Sequence, residues 1–307
     1  MEVLTGFDAR PTGPSVATIG AFAVVHIGHQ ALIERATQAA ESAGAVPTVV
    51  TFDRHPLEVV RPEAAPCRLW STAQRLARFE ELGIGRVLLV PFSREVSELT
   101  PREFVSRVLV ESLACAHVVV GQDFRFGHDR AGDPQVLSEL GAELGFTVEV
   151  APLVGGDQKV STSEVRRLVL EGDVSGAAAL LGASHRIAGT VVRGDGRGRE
   201  IGFPTANLEP PERTCLPAAG IYAGWWVEAG RRLPGAVYVG DKPTLEGTST
   251  GVEIHVFDLD EDLYGREAEI EFTTRLRGDR AFPSIDELVE QMRLDVAEAR
   301  RVLASAP

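Results

Sequence analysis

The sequence predicts an α/β protein of two unlike halves. The first is an α/β unit built on a parallel sheet. The second is a small antiparallel barrel or sandwich closed by a helix. Three observations carry this. From Ser15 to Val154, Val-rich strand-like runs alternate strictly with helical runs, which is the rhythm of a buried parallel sheet covered on both faces. From His185 to Leu276 the helical period is absent, and apolar-polar alternation is broken only by turns, as in all-β domains. The chain has 307 residues, enough for two domains that each bury a core. A glycine-rich joint at Gly155-Gly156-Asp157-Gln158 and two short helical stretches stand between the halves, setting the expected domains at 1–183 and 184–307.

The elements follow in order. Residues 15–22 read as a strand, and 29–44 as a helix with Ala, Leu and Ile on one face, stopped by Gly44. Residues 45–52 form the next strand, and 71–83 a helix capped by Ser71 and ended by Gly83. Strand 86–92 leads to a helix opened by Thr100 with Pro101 at its first position. Strand 116–124, helix 133–145 and strand 147–154 complete the half. Ligands of such sheets bind beyond the carboxyl ends of the strands, so the informative loops are 20–29, 52–56 and 121–127. In the second half, 185–194, 221–227, 233–240, 252–259 and 266–276 read as strands. A terminal helix from Ser284 to Leu303 places Ile285, Leu288, Val289, Met292, Val296 and Ala299 on one face.

Composition removes several function classes. A formal net charge of −13 disfavours a nucleic-acid backbone or an anionic membrane as partner, while leaving room for small phosphorylated ligands. No apolar run reaches the roughly 18 residues of a membrane span, and the N-terminus lacks a basic-then-apolar signal pattern. The three cysteines, Cys67, Cys115 and Cys215, are odd in number and far apart. They are expected to form neither a disulfide framework nor a metal site, and to stay reduced in a cytoplasm.

Two stretches concentrate chemistry. In "GDGRGREIGFPTANL" (194–208), Gly194, Gly196 and Gly198 free the backbone to wrap a ligand, Arg197 and Arg199 bring positive charge, and Pro204 fixes the entry to Thr205-Ala206-Asn207. A Thr hydroxyl and an Asn amide are hard oxygen ligands suited to Mg2+ and phosphate. Downstream, "VEIHVFDL" puts Glu253 and His255 on one face of a strand. A carboxylate beside a Mg-nucleotide is the base that an acceptor hydroxyl needs. On residues alone, a Gly/Arg-rich hairpin turn with an exposed Glu is the more ordinary reading, since a motif without structural context is weak. The other stretch is "GAFAVVHIGH" (20–29), with His26 and His29 at the start of a helix, where amides and ring nitrogens can meet phosphate charge.

With these residues the chain resembles the bacterial bifunctional riboflavin kinase/FMN adenylyltransferase family, from about Ala17 to Leu303. "GRGREIGFPTANL", Glu253, "DLYG" (262–265) and "RLRGDRAF" (275–282) match its kinase module. That resemblance implies a six-stranded barrel with a terminal helix. It also implies Gly194, Arg199, Gly202, Pro204, Thr205 and Asn207 around ATP phosphates, Mg2+ on Thr205 and Asn207, and Glu253 as base toward riboflavin. His26-Ile-Gly-His29 resembles the nucleotidyltransferase signature, which implies a Rossmann-like N-terminal domain. It makes His26 and His29 catalytic, with Gly20, Phe22 and Gly28 lining ATP. "VSTSEVR" (160–166) implies phosphate contacts from Thr162, Ser163 and Arg166, and "GQDFRFG" implies flavin contacts from Asp123 and Phe124. Substrates would be riboflavin, FMN and ATP, in the cytoplasm, with no nucleic-acid or membrane partner; oligomeric state is not implied. The chain departs from the family at Ala23 and Val24, where the family has Asp-Gly, and at Lys242 in "KPTL". If the glycine served a left-handed backbone, valine at 24 would reshape the loop. A kinase with a lost or altered adenylyltransferase site, and a non-catalytic flavin-binding paralogue, therefore stand beside the bifunctional reading.

Overall fold

A computed structural model describes residues 1–8, 11–154, 160–194, 197–244 and 247–306, with side chains described outside 197 and 241–249. The joint at 155–158, Gly196, Leu245 and the side chains of Arg197 and Lys242 thus lie outside the described residues. The chain divides into two units: Met1–Pro66 with Ser71–Ser161, and Cys67–Trp70 with Thr162–Pro307.

The first unit is a six-stranded parallel sheet, ordered β1-β4-β3-β2-β5-β6. Its strands are β1 (Glu2–Thr5), β2 (Ser15–Ile19), β3 (Val46–Phe52), β4 (Arg86–Val90), β5 (Cys115–Gly121) and β6 (Thr147–Ala151). Its helices are α1 (Ile27–Ala43), α2 (Leu57–Val60), α3 (Thr72–Glu81), α4 (Arg94–Glu98), α5 (Pro101–Val105) and α6 (Pro134–Leu144). The caps are those the sequence calls for. Ser71 and Gln74 form a capping box on α3, as do Thr100 and Glu103 on α5, and Gly44 closes α1 in the left-handed region. β2 is buried along its whole length, because helices cover both faces.

β1 is a strand that pattern reading overlooks. Its four residues are mostly exposed and it lies at a sheet edge, so no hydrophobic run marks it. It is held by the buried Arg86, which bonds the Glu2 carboxylate at 2.7 Å, Ser15 Oγ at 2.9 Å and the Thr12 carbonyl at 3.1 Å.

The second unit opens with α7 (Thr162–Glu171) and α8 (Val174–Leu181), then closes a six-stranded barrel, β10-β11-β8-β7-β12-β9. The strands are β7 (His185–Val192), β8 (Ala206–Glu209), β9 (Gly220–Glu228), β10 (Arg231–Thr244), β11 (Gly247–Val256) and β12 (Glu267–Gly278), and a short helix α9 (Arg197–Glu200) lies between β7 and β8. Val237, Val239, Val252, Ile254, Trp226, Tyr222 and Phe272 fill the interior. The terminal helix α10 (Ile285–Leu303) packs Val296, Ala299, Val302 and Leu303 against Trp225, Phe257 and Leu276. The expected apolar face needs one correction. Ile285 is 67% exposed, because the first turn overhangs the packed patch. The face instead includes the buried Asp295, which accepts from Arg277 at 2.7 Å.

The cysteine expectation is overturned. Cys67 and Cys215 form a disulfide across a sequence separation of 148, and only Cys115 is free and buried. The segment Cys67–Trp70 leaves the first unit and runs beside the 213–215 stretch of the second. There Arg68 N–H donates to the Arg213 carbonyl at 2.7 Å and Cys215 N–H to the Arg68 carbonyl at 2.8 Å. Elimination on spacing fails because this excursion brings distant residues side by side. Closing so long a loop stabilises by up to about 5 kcal/mol on the chain-entropy model. Reduction, or Cys67→Ser, is expected to lower the unfolding midpoint of the second unit in calorimetry. An unchanged midpoint in dithiothreitol would show that the bond adds nothing.

Candidate active sites

The first cluster sits at the carboxyl ends of β2 and β5. After Ile19 the chain turns through Gly20, whose backbone N–H donates to the Val50 carbonyl at 3.1 Å. A Cβ at Gly20 would come within 2.9 Å of the Phe22 ring, so that ring requires glycine. Phe22 is the strained residue of the loop, with φ 38°, a conformation bulky side chains avoid. Its ring is fully buried and meets His29 edge-on at 4.7 Å and Phe79 at 5.6 Å. Val24 has no positive φ and is wholly buried. The concern that valine distorts a left-handed position is therefore answered. The left-handed residue is Phe22, two places earlier, and Val24 is core.

His26 and His29 are held as a pair. Their rings stack at 3.6 Å with planes 14° apart. His26 caps α1, its Nδ1 accepting from His29 N–H at 3.3 Å. Its neutral form therefore carries the ring proton on Nε2. His29 Nδ1 lies 2.8 Å from the Val24 carbonyl, which only accepts, so Nδ1 of His29 is protonated. Burial pushes His26 down to about 4, with the Asp123 carboxylate pulling the other way. Burial, then the neighbouring His26, takes His29 to about 3. Both rings are neutral near pH 7.

The loop is fixed from behind by groups that sequence reading missed. The Ala21 carbonyl accepts Thr51 Oγ1 at 2.9 Å and Arg75 at 3.4 Å, and buried Arg75 also donates to the Phe52 carbonyl at 3.0 Å. No spacing rule marks Arg75, which is one of two arginines on the amphipathic helix α3. On β5 the Gly121–Asp123 turn places Asp123 exposed and stacks Phe124 on Phe126 at 5.3 Å. A cleft of about 340 Å3 opens beside α1, lined by Gly28, Leu32, Arg35, Gln38, Ala151 and Pro152. Thr162, Ser163 and Arg166 begin α7 in the second unit. Arg166 Nε donates to the Cys67 carbonyl at 3.2 Å, and burial lowers its pKa.

The second cluster lies on the outer face of the barrel. β8 and β11 pair so that Asn207 stands directly opposite Glu253, while Ala206, Leu208, Val252 and Ile254 point to the core. Thr205 Oγ1 donates to Glu253 Oε2 at 3.0 Å. Glycine is needed at two places here. A Cβ at Gly194 would lie 2.3 Å from Asn207 Nδ2, and one at Gly198 would lie 2.4 Å from the Phe203 carbonyl. Gly202 turns at φ 87°, and Arg199 and Pro204 are exposed. Among the described residues no group of three His, Cys, Asp or Glu could hold a metal. The fitting donors are the Thr205 hydroxyl and Asn207 amide, which suit a hard cation shared with phosphate oxygens.

These features define a class: one chain with two clusters of polar side chains, one at the strand ends of a doubly wound unit and one on a closed barrel. One family model, described as FAD synthetase, matches residues 8–164, and another, described as riboflavin kinase, matches residues 181–303. A bifunctional riboflavin kinase/FMN adenylyltransferase from Pseudomonas fluorescens is 39% identical over 94% of this chain and 93% of its own length. Proteins of the same name from Escherichia coli K12 and Bacillus subtilis are 36% and 34% identical, over 98% and 95% of this chain and 97% and 93% of theirs. A crystal structure titled as a macrolide-efflux protein from Streptococcus pneumoniae superposes with TM-score 0.90 at 29% identity, covering 98% of this chain and 99% of that one. Among the described residues no helix is long and apolar enough to cross a membrane. The chain belongs to the bifunctional riboflavin kinase/FMN adenylyltransferase family.

Two measurements check this geometry. The unfolded chain binds a proton at each histidine near pH 6.5, whereas folded His26 and His29 bind theirs only near 4 and 3. The unfolded state thus holds more protons between those values, and stability falls as pH drops through the window. Denaturation midpoints should decline from pH 7 to 4, and less steeply in His26→Gln. Val24→Gly should destabilise by about 2–3 kcal/mol through lost apolar burial and added chain entropy. A stabilised variant would contradict the core assignment.

Proposed function

We propose that the protein phosphorylates riboflavin to FMN at the barrel and adenylylates FMN to FAD at the α/β unit, using ATP for both. The observation that carries the kinase step is the Thr205–Glu253 hydrogen bond beside the directly paired Asn207. Glu253 accepts the proton of the ribityl 5′-hydroxyl as its oxygen attacks the γ-phosphorus of ATP, and ADP leaves. Thr205 and Asn207 would hold the phosphates and Mg2+, and the cation would supply charge neutralisation. Gly194, Arg199, Gly202 and Pro204 line the same nucleotide. Because Glu253 is a carboxylate, its loss removes the base without emptying the nucleotide site.

In the second step a phosphate oxygen of FMN attacks the α-phosphorus of ATP, and pyrophosphate leaves. His26 donates from Nε2–H to the oxygens where charge builds. His29, with its Nε2 lone pair, stays neutral and offers a hydrogen-bond acceptor beside that donor. The close stack opposes charging both rings together. Gly20, Phe22 and Gly28 shape the nucleotide's approach, with Phe22 acting from the core as a prop for His29. Thr162, Ser163 and Arg166 bind the β- and γ-phosphates, with Asp123 and Phe124 toward the flavin. The cleft beside α1 suits the non-phosphate part of a ligand.

We also place the division of labour at 183/184. Both reactions consume ATP, which argues for the cytoplasm, where thiols would act continually on the Cys67–Cys215 bond. The net charge of −13 argues against nucleic acid as partner.

Purified protein with riboflavin, ATP and Mg2+, and separately with FMN, should yield FMN and FAD resolved by chromatography. Glu253→Gln should lower FMN formation by about 100-fold or more while FAD still forms from supplied FMN. His26→Asn should do the reverse. FMN alone from the native protein would defeat the adenylyltransferase half, and no product from either flavin would defeat both.

A further inference from the structure

His255 has no part in the chemistry above, yet it lies two residues from Glu253 on the same strand face. The β8–β11 ladder ends at the pair Ile254–Ala206. Two residues before Ala206 the chain passes through Pro204, which has no N–H to give. The Pro204 carbonyl would lack a partner. His255 supplies it: its Nδ1 lies 2.8 Å from that oxygen, and since a carbonyl only accepts, Nδ1 carries the proton. The ring is clamped on two sides, meeting Phe203 edge-on at 5.5 Å and Phe257 at 5.8 Å. Phe257 is buried and carries the Arg300 guanidinium of α10 over its ring at 4.4 Å. Arg300 is itself held by two 2.8 Å bonds to Asp258.

The geometry points to His255 as a positioning residue of the phosphoryl-transfer site, one that fixes Pro204 so that the next residue, Thr205, holds its hydroxyl on Glu253. The inference rests on the kinase reading. The bond needs only the Nδ1–H, which both the neutral tautomer and the imidazolium carry. The groups that face the ring are Asp258 and Arg300, already paired with each other, and Glu253 on its own strand. An amide of the right length can replace the imidazole. Asn places Nδ2 close to where His places Nδ1, whereas Leu keeps bulk and removes the donor. Without the bond the Thr205 hydroxyl wanders, and a misplacement of about 1 Å near reacting atoms costs rate steeply.

The test is full-length His255→Leu beside His255→Asn, each assayed for FMN formation as kcat and KM for both substrates. Thermal midpoint and FMN-to-FAD conversion are followed on the same preparations. The expected result is a kcat for phosphorylation about tenfold or more below native in His255→Leu. KM for riboflavin should stay within about twofold, and kcat should return to within about threefold in His255→Asn. Thermal midpoint and FAD formation should match native in both. Native-like kcat in His255→Leu would overturn the role. Equal loss in the two variants would also overturn it, because the donor would not be what matters. A fall in midpoint and in FAD formation alongside kcat would overturn it in favour of a folding role. If the native protein itself makes no FMN, the kinase reading fails first, and that outcome is read before any variant.

Discussion

Antiparallel pairing of β8 with β11 sets the barrel site. Side chains alternate along a strand, so a slip of one residue would turn Glu253 and Asn207 inward and Ile254 and Ala206 outward. The interior residues forbid that slip, since Val252, Ile254, Ala206 and Leu208 share the barrel core. The polar cluster is therefore held in place by the apolar contacts on the opposite face of the same strands. Thr205 sits just beyond the ladder, where backbone pairing has stopped and side-chain bonds take over. The glycines at 194 and 198 belong to the same constraint. Their neighbours stand where a Cβ would be, which lets the loop lie against the strand that bears Asn207.

The α/β unit reaches a similar end by other means. Its histidines start a helix, and their tautomers are assigned by a backbone amide on one ring and a carbonyl on the other. Rings this buried resist protonation, so the site is set as a neutral donor and a neutral acceptor. The strain at Phe22 is offset by its contacts with Phe79 and His29, and it shapes the loop that Arg75 and Thr51 hold from behind. Val24 lies wholly within this core.

The alternation of strands and helices was legible because parallel strands buried on both faces leave continuous apolar runs, and caps such as Ser71 and Thr100 mark helix starts locally. The barrel was legible as several alternating strands, though not β8, whose four residues hide in a glycine-rich motif. β1 was invisible because it is short, mostly exposed and held by pairing with β4 and by Arg86, contacts with a segment 84 residues away. The His-x-Gly-His pair and the Thr–Asn–Glu set were found by resemblance. What sequence could not supply was the facing of Asn207 and Glu253, the φ at Phe22, or the reach of Arg75 to the Ala21 carbonyl. All three depend on contacts between distant segments. The cysteine pair failed for the same reason, since spacing says nothing when the chain makes an excursion into another unit.

That excursion has a consequence for how the protein comes apart. Residues Cys67–Trp70 are covalently fastened to Cys215, while the strands and helices on either side of them belong to the first unit. A cut at 161–162 would not release two pieces, because Cys67 and Cys215 lie on opposite sides of it. The nicked chain would still run as one molecule until a reductant reached the bond. Fragments expressed separately at that boundary would each carry an orphaned thiol. The two halves of the sequence read as separable modules, but the Cys67–Cys215 bond ties residues of both stretches of chain into one covalent loop.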